Sequence, residues 1–264
     1  IMLLAADSLK QTNIDEMIMS ISTRLSEGYE AKRVPFDQLH LLATNNEYHW
    51  CSHHFQGDIR RAENALPLFN MIVLDIDGTM PLNVARDLLK QYRAFFYTTK
   101  SHTEEVHRYR IILPINYEVG MDREEYNACM DAVLQTLPFE CDPATKDIAR
   151  KWMCNEGEYF YQEGELFDIL PFIPNTSRND ERQQAFQNQS DLDNLERWVL
   201  NHTGSGNRND QIYKYAMVLA DAGKSLEQIG ELARSLNNKL SDRLSDEEIM
   251  NTVLKSVSNK MNRK

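Results

Sequence analysis

The stretch Asn70-Met71-Ile72-Val73-Leu74-Asp75-Ile76-Asp77-Gly78 decides how this chain reads: a short apolar run ends in two acids one residue apart and then a glycine. Strand side chains alternate between faces, so Asp75 and Asp77 project from the same side. Two like charges that close repel unless a cation lies between them. Oxygen donors at this spacing suit Mg²⁺ or Mn²⁺, which take a few carboxylates and leave their other positions to water and phosphate oxygens. An isolated pair of this kind equally serves to cap a strand end and start a turn.

Outward from this run, Arg93–Thr99 (RAFFYTT), Arg108–Ile115 (RYRIILPI) and Glu158–Gln162 (EYFYQ) are rich in β-branched and aromatic residues and read as strands. Asn83–Tyr92 and Arg123–Leu137 read as helices between them. Ile14, Met17, Ile18, Ile21 and Leu25 recur at helical spacing and predict a surface helix over Ile14–Leu25. Strands interleaved with helices define an α/β or α+β sheet domain.

Past that domain, Pro174–Ser190 (PNTSRNDERQQAFQNQS) loses its hydrophobic periodicity and reads as a linker. The organisation expected is a catalytic domain over 1–173, a linker over 174–192 and a helical domain over 193–264. In the tail, Asp210–Ala222 has helical periodicity and stops at Gly223, while Ser225-x-x-Gln228 and Ser245-x-x-Glu248 have the capping-box pattern. The whole chain of 264 residues carries 29 bases against 40 acids, a net −11, which excludes a uniformly basic nucleic-acid coat. That acidity belongs to residues 1–192; the tail is nearly neutral. No apolar run reaches the roughly 20 residues a bilayer needs, and Ile1–Ala6 lacks the basic start of a signal peptide, so a cytoplasmic protein without membrane association is expected. Four widely spaced cysteines do not make a disulfide framework.

Two further segments carry chemistry. Ser101 and His102 end one strand region, and Arg108 and Arg110 alternate along the next strand, where guanidinium forks on one face suit a triphosphate; a solvated strand face is the plainer reading. A third acid, Asp142, lies before Pro143, which biases it toward an extended conformation. Lys146 and Arg150 follow four and eight residues later and share a face if the segment is helical. His49, Cys51, His53 and His54 cluster, but no second ligand pair at finger spacing follows, so zinc is not favoured. Arg60 and Arg61 read equally as contacts to a template backbone or as a surface pair. Tyr159, Phe160 and Tyr161 read as sheet core in preference to a base-stacking platform.

The order of these motifs resembles the catalytic core of the archaeo-eukaryotic primase superfamily, in its phage and plasmid primase-polymerase branch. An apolar strand ending in D-x-D, a Ser/His segment before an R-x-R strand, and an apolar stretch ending in Asp occur here in that order over about residues 55–165. The resemblance implies an RRM-like sheet with flanking helices. It further implies that Asp75, Asp77 and Asp142 are catalytic and bind two Mg²⁺ or Mn²⁺ ions, and that Ser101, His102, Arg108, Arg110, Lys146 and Arg150 serve the incoming nucleotide. Ser101 and His102 are adjacent here, where the family usually has Ser-x-His. The tail resembles the small helical domain that follows such cores.

The function this implies is DNA-dependent primer synthesis on single-stranded DNA from nucleoside triphosphates, in phage or plasmid replication. No Walker motif occurs, so the helicase often fused to such primases would be a separate protein or a missing region. Two alternatives stand beside it. Asp75-Ile76-Asp77-Gly78-Thr79 also matches the D-x-D-G-T of haloacid-dehalogenase-type phosphatases, where the pair ends a parallel strand. A nucleic-acid-binding replication factor with a degenerate site is the other. For a primase, the bases are expected to gather in a groove around Arg108, Arg110, Lys146 and Arg150.

Overall fold

The computed structural model describes residues 9–188 and 193–262. Its elements, in chain order, begin with β1 (Lys10–Gln11), β2 (Met17–Ser22), β3 (Glu30–Val34), α1 (Leu39–Ala43), β4 (His49–Cys51) and β5 (Leu68–Asp77). They continue with α2 (Leu82–Leu88), β6 (Ala94–Thr98), β7 (Arg108–Gly120), α3 (Arg123–Thr136), β8 (Trp152–Met153), β9 (Tyr159–Gln162) and α4 (Ser177–Asn188). After them come α5 (Asn194–His202), α6 (Arg208–Asp221), α7 (Leu226–Lys239), α8 (Asp246–Glu248), a π-helical turn (Ile249–Leu254) and α9 (Lys255–Met261). The fold class is α+β with antiparallel sheets and an all-helical C-terminal region. Among the described residues no helix is long and apolar enough to cross a membrane.

The chain divides into two compact units, the first made of residues within 1–135 and 140–188, the second of 136–139 with residues within 189–264. In the first unit, β7 is the axis of a five-stranded sheet. β5 pairs along one of its edges, β6 and β1 pair in succession along the other, and β9 lies outside β6. All of these pairings are antiparallel. A register shift interrupts the β5–β7 ladder between Phe69 and Met71, opposite Pro114, whose missing N–H is tolerated at such an irregularity. The second sheet runs β3-β2-β4-β8, also antiparallel.

The two sheets share one core. Met17, Met19, Trp50 and Trp152 from the second meet Met71, Val73, Phe95, Tyr97 and Ile112 from the first. Asn70, fully buried, bridges them: its Oδ1 accepts the Ile18 N–H at 2.8 Å and its Nδ2 donates to the Glu16 carbonyl at 2.9 Å, which satisfies both ends of a buried amide.

The helix expected over Ile14–Leu25 is instead the strand β2. Met17, Ile18, Met19, Ser20 and Ser22 are all buried, so both faces of the segment are covered and a one-sided helical stripe has no role; Leu25 is exposed. A short apolar run buried on both faces mimics helical spacing by coincidence. The expected linker also contains α4, whose first turn is closed by Thr176, with Oγ1 accepting the Asn179 N–H at 3.1 Å. Residues 189–192 of that linker, and 1–8 at the start, lie outside the described residues. The aromatic trio divides: Tyr161 packs against Phe36 and Phe95, Phe160 lies under the Arg86 guanidinium, and Tyr159 is exposed and stacks on His40.

The second unit closes around Ile212, Ala216, Ile229, Ala233, Ile249, Val253 and Val257. Both capping boxes form, Ser225 with Gln228 and Ser245 with Glu248, and α6 stops before Gly223, which takes φ +80°.

Candidate active site

One face of β5 carries Met71, Val73, Asp75 and Asp77. The first two are sealed in the core, and the face then emerges: the Asp75 side chain is 14 % exposed and that of Asp77 59 %. On β7, Arg110 lies directly opposite Asp75 and Arg108 opposite Asp77. Directly opposed residues of an antiparallel pair project from the same face, so the two acids and two bases form two cross-strand ion pairs. Arg108 Nη1 lies 2.6 Å from Asp77 Oδ1 and Arg110 Nε lies 3.2 Å from Asp75 Oδ1. Gly78 turns the chain at φ +85°, and its N–H donates to the His107 carbonyl at 2.9 Å. A side chain at that position would be strained, and its Cβ would sit 3.1 Å from Val106.

The third acid joins them through the backbone. Asp142 N–H donates to the Asp75 carbonyl at 2.9 Å, and Asp142 is extended (φ −58°, ψ 118°), as Pro143 requires. Its Oδ1 caps the following turn by accepting the Ala144 N–H, and its Oδ2 accepts from Arg150 Nη2 at 3.0 Å. The same Arg150 nitrogen is 3.6 Å from Asp75 Oδ2, so one guanidinium bridges the first and third acids. Burial raises Asp75 above the ordinary carboxylate range; Arg110 and Arg150 oppose that shift, and Asp142 and Asp77 add to it.

Arg110 is fixed from several sides. Nη1 donates to the Met153 carbonyl at 2.6 Å and to Tyr97 Oη at 3.3 Å, and the guanidinium lies over the rings of Tyr97 and Trp152. Trp50 Nε1 donates to the same Tyr97 oxygen. Burial works against the charge of Arg110, but Tyr97 and Asp75 outweigh it and raise its pKa. Tyr97, Trp152 and the Met153 carbonyl thus hold the site, and sequence reasoning assigned them only to strands or not at all. The one signal available was Tyr97 in a strand next to R-x-R; Trp152 is brought in by the second sheet.

The other expected residues fall out as follows. His102 Nδ1 accepts the Arg108 N–H at 3.0 Å, which places the imidazole beside the Arg108–Asp77 pair. Ser101 is exposed next to it. Lys146 and Arg150 do not share a face, because the segment is a 3₁₀ turn over Pro143–Lys146 followed by a bend. Lys146 turns to Asp131 on α3, with Nζ 2.7 Å from Oδ1. Arg60 donates to the carbonyls of Ala149 and Leu25 and so buttresses the loop that carries Arg150. The expected gathering of bases around Arg108, Arg110, Lys146 and Arg150, with the acids on the far face, is corrected: the three arginines gather, but each faces an aspartate, and Lys146 pairs with Asp131.

His49, Cys51, His53 and His54 do not converge. Cys51 packs with Tyr29 and Phe55, His53 with Phe69 and Tyr126, and His54 Nε2 meets the Lys32 carbonyl. Among the described residues no three His, Cys, Asp or Glu side chains are spaced to hold a metal ion as they stand. The three aspartates nevertheless have the chemistry of a hard-cation site. They are adjacent carboxylates, the least exposed of them carries a raised pKa, and their present counter-charges are guanidiniums of the chain itself.

Two family models match the chain: the VapE N-terminal domain over residues 52–165, and Primase C terminal 1 (PriCT-1) over 196–262. The first spans the whole site and the second the helical unit. No curated protein matches. The solved structure titled "Crystal structure of primase RepB'" is similar over 94 % of this chain and 94 % of that one at 12 % identity, with a TM-score of 0.33. By its two family-model matches the chain resembles the phage and plasmid primase-polymerases. It is accordingly a primase-related protein of replication.

Proposed function

We propose that this chain is a DNA-dependent primase-polymerase that joins nucleoside triphosphates into primers on single-stranded DNA by two-metal nucleotidyl transfer. The observation that supports this best is the interleaving of three carboxylates, Asp75, Asp77 and Asp142, with three guanidiniums, Arg108, Arg110 and Arg150. The set is neutral. Two divalent ions would give it an excess of about four positive charges, close to the charge of a nucleoside triphosphate. In this reading Asp75, Asp77 and Asp142 hold Mg²⁺ or Mn²⁺, which when bound offset charge on the triphosphate and activate the attacking hydroxyl.

The chain's own groups supply the rest. Arg110, clamped by Tyr97 and Met153, fixes Asp75. His102, whose Nδ1 lies against the Arg108 backbone at 3.0 Å from its N and 3.2 Å from its carbonyl oxygen, has Nε2 left to meet a phosphate oxygen. Arg108, at the exposed end of the row, exchanges Asp77 for a phosphate. The phosphatase alternative needs D-x-D at the end of a parallel strand, whereas β5 pairs antiparallel with β7.

The test is to incubate the protein with single-stranded DNA, labelled triphosphates and Mn²⁺, beside a generic phosphatase substrate. Template-dependent oligomers are expected, and Asp75→Asn and Asp77→Asn each reduce them by about a hundredfold or more with the fold retained. Phosphate release without oligomers, or DNA binding without either product, replaces this reading with the phosphatase or the binding factor.

A further inference from the structure

We infer that Arg150 is a resident counter-ion of the aspartate cluster, one that a divalent cation must displace before it can join Asp75 to Asp142. This rests on the reading of Asp75, Asp77 and Asp142 as the ion-holding residues and goes beyond it, because it gives Arg150 a role set by competition with the ion.

Three observations carry it. First, the guanidinium lies against the oxygens that a cation shared by the two acids would need, 3.0 Å from Asp142 Oδ2 and 3.6 Å from Asp75 Oδ2. Second, Arg150 is held differently from Arg110. Arg110 is tied to a carbonyl and a phenol as well as to its carboxylate and is 11 % exposed. The Arg150 head group has the two carboxylates and the face of Trp152 and is 33 % exposed. Third, the backbone beneath Arg150 is anchored by contacts of its own, separate from those of the head group: Arg150 N–H donates to the Asp147 carbonyl at 2.8 Å, and Arg60 holds the Ala149 carbonyl at 2.8 Å. The side chain therefore swings without unfolding its loop.

Displacement has a defined electrostatic consequence. A guanidinium and a divalent ion compete for the same oxygens, so Arg150 weakens ion binding in the absence of nucleotide. Once released it needs a new anion, and a triphosphate supplies one. Arg150 thus links the two ligands: ion and triphosphate favour each other because each frees or occupies the same side chain.

The test is Mn²⁺ affinity by calorimetry and by EPR of free Mn²⁺, on the full chain without nucleotide. Removing one competing charge at this separation in Arg150→Gln is expected to tighten Mn²⁺ about tenfold, with triphosphate binding in the presence of Mn²⁺ weakened by a similar factor. Arg150→Lys, which keeps the charge and loses the fork, lies between. Thermal unfolding in EDTA reports whether each variant folds. In the wild type, the Arg150 Nε–H resonance should shift on Mg²⁺ addition and stay in place in Asp142→Asn, a readout that requires no Arg150 variant. If Arg150→Gln binds Mn²⁺ no tighter or more weakly, or the Arg150 resonance does not respond to Mg²⁺ in a wild type that binds it, the counter-ion role is overturned. If wild type and Asp142→Asn bind Mn²⁺ equally, the ion site itself fails, and the counter-ion role fails with it.

Discussion

A neutral imidazole at His53 is sealed between Phe69 and Tyr126, with ring centroids 5.4 Å and 4.8 Å away. Burial, with a smaller contribution from His54, pushes its pKa down to about 3. The unfolded chain protonates this residue near pH 6.5 and the folded one does not, so its contribution to stability is complete above that pH and is lost as pH falls toward 3. His53→Phe should flatten the loss between pH 6 and 4, which amounts to about 2 kcal/mol at pH 5 in the wild type; unchanged acid sensitivity in denaturant titrations would show that His53 is not responsible. Gly78 is the second residue whose backbone matters. Gly78→Ala should cost about 1–2 kcal/mol of stability and cut primer synthesis, because it strains the turn that directs Asp77. Calorimetry and the oligomer assay check the two effects separately. At this scale the sequence was informative for each pair alone: Asp75 and Asp77 share one strand face and Arg108 and Arg110 another by alternation, and the register between β5 and β7, which α2 and β6 separate along the chain, brings the pairs together. Lys146 was not legible, because its partner Asp131 lies on a different element.

Among the elements, the first sheet was readable and the second was not. β5, β6, β7 and β9 announce themselves by composition, and α3 by a stripe of Tyr126, Met130 and Val133. β2 and α4 were misread: a two-sided strand carries no alternation, and a polar helix carries no stripe, although Thr176 marked where it starts. The sheets are also joined by charge. Glu118 on β7 accepts from Arg33 of β3 at 2.7 Å and from Lys10 of β1 at 3.2 Å. Burial alone would raise its pKa, but hydrogen bonds from Arg33 and Lys10 outweigh that and hold it below the ordinary range. A depressed carboxylate stabilises above its unfolded pKa and ceases to do so as pH falls through the folded value. Glu118→Gln should therefore cost on the order of 2 kcal/mol at pH 7, and the gap to wild type should close below about pH 4. A pH-independent difference in unfolding free energy would assign the effect to packing instead.

For the molecule as a whole the net charge is −11, and at the site Arg108, Arg110 and Arg150 each face an aspartate, which leaves little net positive charge there for a phosphate backbone. Single-stranded DNA binding in EDTA should accordingly depend weakly on salt, with a slope of log K against log salt shallower than about −3. Fluorescence anisotropy across a salt series measures it; a slope near −6 would reveal a basic track elsewhere on the chain. Sequence by itself determined the interleaved strands and helices of the first domain, the helical tail with its caps, and the placing of two acids on one strand face and two arginines on another, since these follow from local periodicity; the register that sets them opposite each other is tertiary. Only the tertiary structure decided that Asp142 abuts Asp75, that Arg150 bridges them and that Trp152 and Tyr97 hold the arginines in place. Asp142 and Arg150 reach Asp75, and Trp152 reaches Arg110, from distant parts of the chain, and no local pattern encodes which distant surface a folded segment will meet.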